Sequence, residues 1–81
     1  MNIEYKESIW ALDPDQATKD ILQLEEGEHC FYPESDYGHG YILKVGDQYE
    51  CWSYPMYGGE QSLEETVANE EDAFACVTSW T

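Results

Sequence analysis

Eighteen Asp and Glu side chains against three Lys and Arg leave this 81-residue chain with a formal charge of −15. No other feature constrains the fold as much, because a compact domain that keeps this charge repels itself and gives up stability. A strongly basic partner is the simplest counterweight. The number of charges is ordinary: 26% of residues are charged and 42% are apolar, so the anomaly lies in the sign. Eighty-one residues suffice for one domain with one small core. Aromatics supply 15% of the chain, as three Trp, seven Tyr and two Phe, which sets it apart from disordered acidic tails. Tyr and Trp also suit a binding surface, since each buries a large area with few rotatable bonds. In so short a chain most of them belong to the core.

Cys30, Cys51 and Cys76 are odd in number and widely spaced, a poor disulfide framework. The chain does not open with a basic region followed by an apolar run, as a signal peptide would. No apolar stretch approaches the ~20 residues of a membrane span, and anionic headgroups would repel this charge. These features predict a cytoplasmic protein with reduced thiols.

Along the chain, residues 1–12 alternate weakly and read as a short strand or extended arm. Asp13-Pro14-Asp15-Gln16 starts a helix: Asp13 caps, Pro14 suits the first helical position, and Gln16 completes a capping box. Ala17, Ile21 and Leu24 recur at helical spacing and Gly27 fits a left-handed stop, which predicts a helix over 14–25. Glu25, Glu26 and Glu28 then sit at the helix end, where acids oppose the dipole; this hints at another use. His29–Tyr32 reads as a strand closed by Pro33, and 34–40 as a loop. Tyr41–Val45 and Gln48–Met56 form a hairpin around Gly46-Asp47. A two-residue turn pairs Val45 with Gln48, Leu43 with Glu50, Ile42 with Cys51 and Tyr41 with Trp52. Ile42 and Cys51 then share one face, and Tyr41, Trp52 and Tyr54 the other. Ser62-Leu63-Glu64-Glu65 reads as a capping box opening a second helix, with Leu63, Val67, Phe74 and Val77 on its stripe. Asn69 and Asp72 offer a restart within it, and residues 74–81 read as its continuation or as a strand, which Val77, Thr78 and Trp80 favour, with helix preferred. The expected fold is a single α+β domain: a three- or four-stranded antiparallel sheet with two short helices packed on one face.

The residues for catalysis are sparse. His29 and Cys30 are neighbours, but adjacent strand residues point to opposite faces, so a Cys–His nucleophile is not assembled. The Cys and His positions lack the short paired spacing of zinc sites. Asp13-Pro14-Asp15 lacks the glycine and distal Glu of a calcium loop. Glu25-Glu26, Glu64-Glu65 and Glu70-Glu71 are adjacent pairs expected by chance in so acidic a chain. No glycine-rich phosphate loop is present. Lys6, Lys19 and Lys44 cannot form a basic track, which argues against direct nucleic-acid binding. The reading is therefore a non-enzyme without cofactor or metal.

What remains is the acidic surface. Acids four or five positions apart on a helix lie roughly 6–7 Å apart along its axis, close to the ~7 Å spanned by two steps of one DNA strand. Glu60, Glu65 and Glu70 have this stride, as do Asp15, Asp20 and Glu25. In size, charge, abundant Tyr and Trp, and the acids Glu64, Glu65, Glu70, Glu71 and Asp72 on a short helix, the chain resembles small phage-encoded anti-defence proteins, including DNA-mimicking anti-CRISPR and anti-restriction inhibitors. The resemblance implies a stoichiometric inhibitor in the cytoplasm of an infected bacterium. Its carboxylates would contact Lys and Arg in a DNA or guide-RNA channel of a basic nucleic-acid-binding protein or ribonucleoprotein. The second helix is the first expected contact surface. Glu34, Asp36 and Tyr37 form a second and Glu25, Glu26 and Glu28 a third, with Tyr37, Tyr54 and Tyr57 as aromatic anchors. The same physics fits an immunity protein or antitoxin that neutralises a basic nuclease toxin. An acidic interaction module, or a protein of a salt-rich cytosol, are the blander readings.

Overall fold

The computed structural model describes residues 2–7, 11–32, 39–54 and 60–79. Along the chain run β1 (Ile3–Glu4), α1 (Pro14–Leu22), β2 (His29–Phe31), β3 (His39–Val45), β4 (Gln48–Tyr54), β5 (Ser62–Val67) and α2 (Glu70–Thr78). The strands form one five-stranded sheet in the order β1-β2-β3-β4-β5. β1 pairs with β2 in parallel and the other neighbours are antiparallel. The α+β class holds, while the expected three- or four-stranded antiparallel sheet is corrected to a five-stranded mixed one.

The central hairpin takes the register that its turn dictates. Val45 faces Gln48, Leu43 faces Glu50, Ile42 faces Cys51 and Tyr41 faces Trp52. Gly46 has φ 59°, a conformation that costs glycine little. Alternation then separates two faces. Ile42 and Cys51, both 0% exposed, join Cys30, Tyr32 and Tyr49 beneath Ile21 and Leu24 from α1 and its exit, and Ala73, Cys76 and Val77 from α2. Both helices thus cover the same side of the sheet. Tyr49 ties the layers together: its hydroxyl donates to the Ile21 carbonyl at 3.4 Å, and the Lys44 ammonium sits 4.4 Å from its ring centroid. Tyr5, just past β1, stacks on Tyr32 with centroids 5.2 Å apart and donates its hydroxyl to Asp20 of α1.

α1 begins as expected, with the Asp13 carboxylate accepting from the Asp15 N–H at 3.2 Å. The reciprocal half of the capping box does not form, because Gln16 Nε2 donates instead to Asp20 Oδ1 at 3.0 Å. The helix ends at Leu22, short of the expected residue 25. Gly27 has the expected positive φ, 83°, but it turns the chain into β2. Its N–H donates to the Lys44 carbonyl at 2.9 Å, and the Lys44 N–H donates back to the Glu28 carbonyl at 2.9 Å.

The largest departure lies at residues 62–69. Ser62–Val67 is an edge strand on β4, so the helix expected to open at Ser62 is corrected. The Ser-x-x-Glu spacing satisfies a local rule. Without β5, however, the outer backbone groups of β4 would lose their ladder partners, and pairing outweighs propensity. Leu63 and Val67 do not share a stripe. Leu63 faces Trp52 and Val67 faces Tyr49, on opposite sides of the sheet, and Glu64 is the extra residue at a bulge between Glu65 and Leu63. The helix starts at the Asn69 restart: Asn69 Oδ1 accepts from the Asp72 N–H at 2.8 Å and Asn69 Nδ2 donates to Asp72 Oδ2 at 3.0 Å. The helical stride through Glu60, Glu65 and Glu70 therefore does not exist.

Two expected outcomes follow from α2. Asn69→Ala should cost about 0.5–2 kcal/mol in urea unfolding, with Asn69→Ser restoring most of it. Glu70 and Glu71 occupy the first turn, where the dipole favours acids by about 0.3–1 kcal/mol each. Distant exposed charges are screened beyond the ~10 Å Debye length at 0.1 M salt. Glu70→Gln and Glu71→Gln should thus lower the thermal midpoint at that salt, whereas repulsion alone would raise it.

Candidate functional site

Two surfaces carry the chemistry that the sequence implies. The first is the corner where β5 hands over to α2. Glu64 and Glu65 are exposed on the edge strand, and Glu71 and Asp72 are exposed in the first helical turn beside half-buried Glu70. The fold brings Glu65 and Asp72 to one shallow depression, shared with Val67, Ala75, Cys76 and Ser79. Glu64 accepts from Ser53 Oγ at 2.7 Å, which fixes its carboxylate against β4.

The second surface is the sheet face opposite the helices. Register places Glu4, Phe31, Tyr41, Trp52 and Leu63 in one row across all five strands. The next row holds His29, Leu43, Glu50 and Thr66. Tyr41 and Trp52 lie 6.0 Å apart with an interplanar angle of 5°. His29 meets Tyr41 edge-on at 6.0 Å, and Tyr41 donates to Gln61 Oε1 at 2.9 Å. His29, Tyr41, Leu43 and Gln61 line a shallow open pocket. Among the described residues, Leu63 at 47% and Val45 at 39% are two of the exposed large hydrophobic side chains, and both lie on this face. Glu50 Oε1 accepts from the Trp52 indole N–H at 3.1 Å, so a carboxylate is held at the edge of the aromatic row.

Glu25, Glu26 and Glu28 are close together between α1 and β2, and two of them have structural work. Glu26 accepts from the Gly46 N–H of the hairpin turn, and Glu28 accepts from the Glu25 N–H at 2.8 Å. This local bonding accounts for acids that the helix dipole disfavours. Glu34, Asp36, Tyr37 and Tyr57, with the Tyr54 side chain, lie outside the described residues. Sequence reasoning placed Tyr41 and Trp52 on one face but passed over Glu4, Phe31 and Glu50. The two-residue spacing of Glu50 and Trp52, which puts both on one face of β4, was the available signal for Glu50.

The thiols lie in the interior. Cys30, Cys51 and Cys76 are free and buried. Burial, then the field of Asp20, pushes the Cys30 thiol up to about 12. Burial pushes Cys51 up to about 11. Cys76 is raised by burial and then by Cys51, with Glu65 adding to it. His29 projects to the open face while Cys30 enters the core. Among the described residues, no group of three or more His, Cys, Asp or Glu is placed to hold a metal ion, and no helix is long and apolar enough to cross a membrane.

Comparison with protein-family models, curated proteins and solved structures finds no match in any of the three.

The thiols set the alkaline behaviour. An unfolded thiol releases its proton near ~8.5, whereas the folded chain holds those of Cys51 and Cys30 to about 11 and about 12. Their contribution is whole below the unfolded value and is lost as pH rises toward the folded ones. Unfolding free energy should therefore fall on titration above about pH 8, and Cys30→Ala or Cys51→Ala should make that fall shallower whatever it does at neutral pH.

Proposed function

We propose that this protein is a stoichiometric inhibitor whose acidic surface occupies the nucleic-acid-binding site of a basic bacterial complex, of the anti-CRISPR or anti-restriction kind. One observation carries the reading. Among the described residues no charged side chain is buried, and Glu64, Glu65, Glu70, Glu71 and Asp72 crowd the corner where β5 meets α2. Charge that the core does not use is left at the surface, where it repels its neighbours and attracts a cationic cleft.

The mechanism is electrostatic capture followed by steric occupation. The summed field of a −15 chain draws the protein toward a Lys- and Arg-lined channel and accelerates encounter. The carboxylates then pair with side chains that otherwise contact phosphate oxygens. The corner departs from a regular phosphate row, since Glu65 lies on a strand and Asp72 on a helix. The fit is of sign and shape, without a repeating stride.

Purified CRISPR and restriction complexes, each tested for binding of labelled duplex DNA with and without the protein, provide the check. At least one should lose DNA binding at near-equimolar protein. The association rate should drop steeply as salt shortens the Debye length from ~10 Å at 0.1 M to ~3 Å at 1 M. Glu64→Gln with Glu65→Gln should slow association about ten-fold. Undisturbed DNA binding by every complex would end the proposal.

A further inference from the structure

We infer that Cys51 and Cys76 form a modification site, a thiol pair that closes an intramolecular disulfide when a peroxide oxidises the chain. Both are free and buried. Both belong to one core cluster, Cys51 from β4 and Cys76 from α2. The Cys51 sulfur lies 3.9 Å from the Ala73 carbonyl of α2, and Cys76 is one turn further along that helix. Helical side chains lean back toward the N-terminus, which directs the Cys76 sulfur over the same turn. The two thiols are accordingly hydrogen-bond neighbours, each altering the other's hold on its proton. Register excludes Cys30 as the partner of Cys51. Ile42 stands between them, paired with both, so two strand spacings of ~4.8 Å separate their backbones. That exceeds the ~7 Å limit between the Cα atoms of a disulfide. α2 packs mainly over β3 and β4 while α1 covers β2, which keeps Cys76 on the Cys51 side.

Cys76, 7% exposed against 0% for Cys51, is oxidised first. Burial raises both thiols, so the docked pair is slow to react, and local opening of α2 admits the oxidant. The Cys76 sulfur attacks one oxygen of hydrogen peroxide. The O–O bond breaks, leaving a sulfenic acid on Cys76, and the thiol proton departs in a molecule of water. On redocking, the Cys51 sulfur displaces the hydroxyl from the sulfenic sulfur. The S–O bond breaks, the S–S bond forms, and the Cys51 proton leaves with the hydroxyl as a second water. Two thiols lose two electrons and the peroxide gains them. The link joins the two elements of the acidic corner, since Glu65 pairs with Cys51 and Asp72 lies one turn before Cys76. It needs no partner and stands apart from the inhibitor reading.

The reduced full chain, treated with hydrogen peroxide in native buffer and then alkylated in urea, provides the test. Trypsin cuts after Lys44, so the 45–81 fragment carries Cys51 and Cys76 while the 20–44 fragment carries Cys30. The 45–81 fragment should lose about 2 Da and take no alkyl group. The 20–44 fragment should be alkylated, and dithiothreitol should reverse the change. Cys30→Ser should leave the product unchanged, and Cys76→Ser should abolish it. If Cys76→Ser does not fold, the fragment masses decide alone. A link through Cys30, dimers in place of an internal link, or further oxidation of Cys76 without a link would each overturn the pair. So would peroxide that leaves all three thiols open to alkylation, or the same mixture of links when oxidation is run in urea.

Discussion

The Ile42–Cys51 cross-strand pair, fully buried under both helices, is the contact on which the rest of the molecule depends. It sits in the central hairpin, where two seven-residue strands meet with apolar residues in register. Several core side chains around it, Cys30, Ala73 and Cys76, are small, so the helix layer can approach the sheet closely. Ala17 and Ala73, at 1% and 0% exposure, allow both helices to do so. Truncating Ile42 would remove about 2–5 kcal/mol, a large part of the ~5–15 kcal/mol that holds a domain together.

Charge then decides what is left for the surface. Three Lys and Arg cannot pair eighteen Asp and Glu, and an unpaired buried carboxylate is expensive. The acids are therefore outside, and several are used locally. Asp13 and the Asn69–Asp72 pair open the helices. Asp20 holds Tyr5, and Glu26 holds the hairpin turn. Such bonds offset part of the repulsion by giving backbone and hydroxyl donors charged acceptors. They also divide the carboxylates by role. Those at the β5–α2 corner are the candidates for a cationic partner, and Glu50 stands apart because it is tied to an aromatic ring.

The hairpin was legible because turn chemistry and alternation agree: Gly46-Asp47 fixes the register and Ile42 and Cys51 fall on one face. The start of the first helix was legible because Asp13-Pro14 satisfies orphan N–H groups by short-range geometry, and Asn69 was legible as a restart though not as the true start of the second. β1 was hard to read because two residues, Ile3 and Glu4, carry no period. β5 was misread because Ser62-Leu63-Glu64-Glu65 satisfies a capping-box spacing while its true determinant, the open edge of β4, is distant in sequence. The site followed the same division. The acids at 64–72 were visible as a cluster, but the Glu4–Phe31–Tyr41–Trp52–Leu63 row draws one residue from each strand.

Sequence alone determined the sign of the surface, which is a sum over the composition, and the central hairpin with its two faces and the start of the first helix, since each of these depends on residues within a few positions of one another. Tertiary structure decided that Ser62–Val67 is a strand, that α1 ends at Leu22, and that the aromatic side chains align beside Glu50. Those outcomes depend on backbone hydrogen bonds and packing between segments far apart in the chain, and no local spacing encodes them.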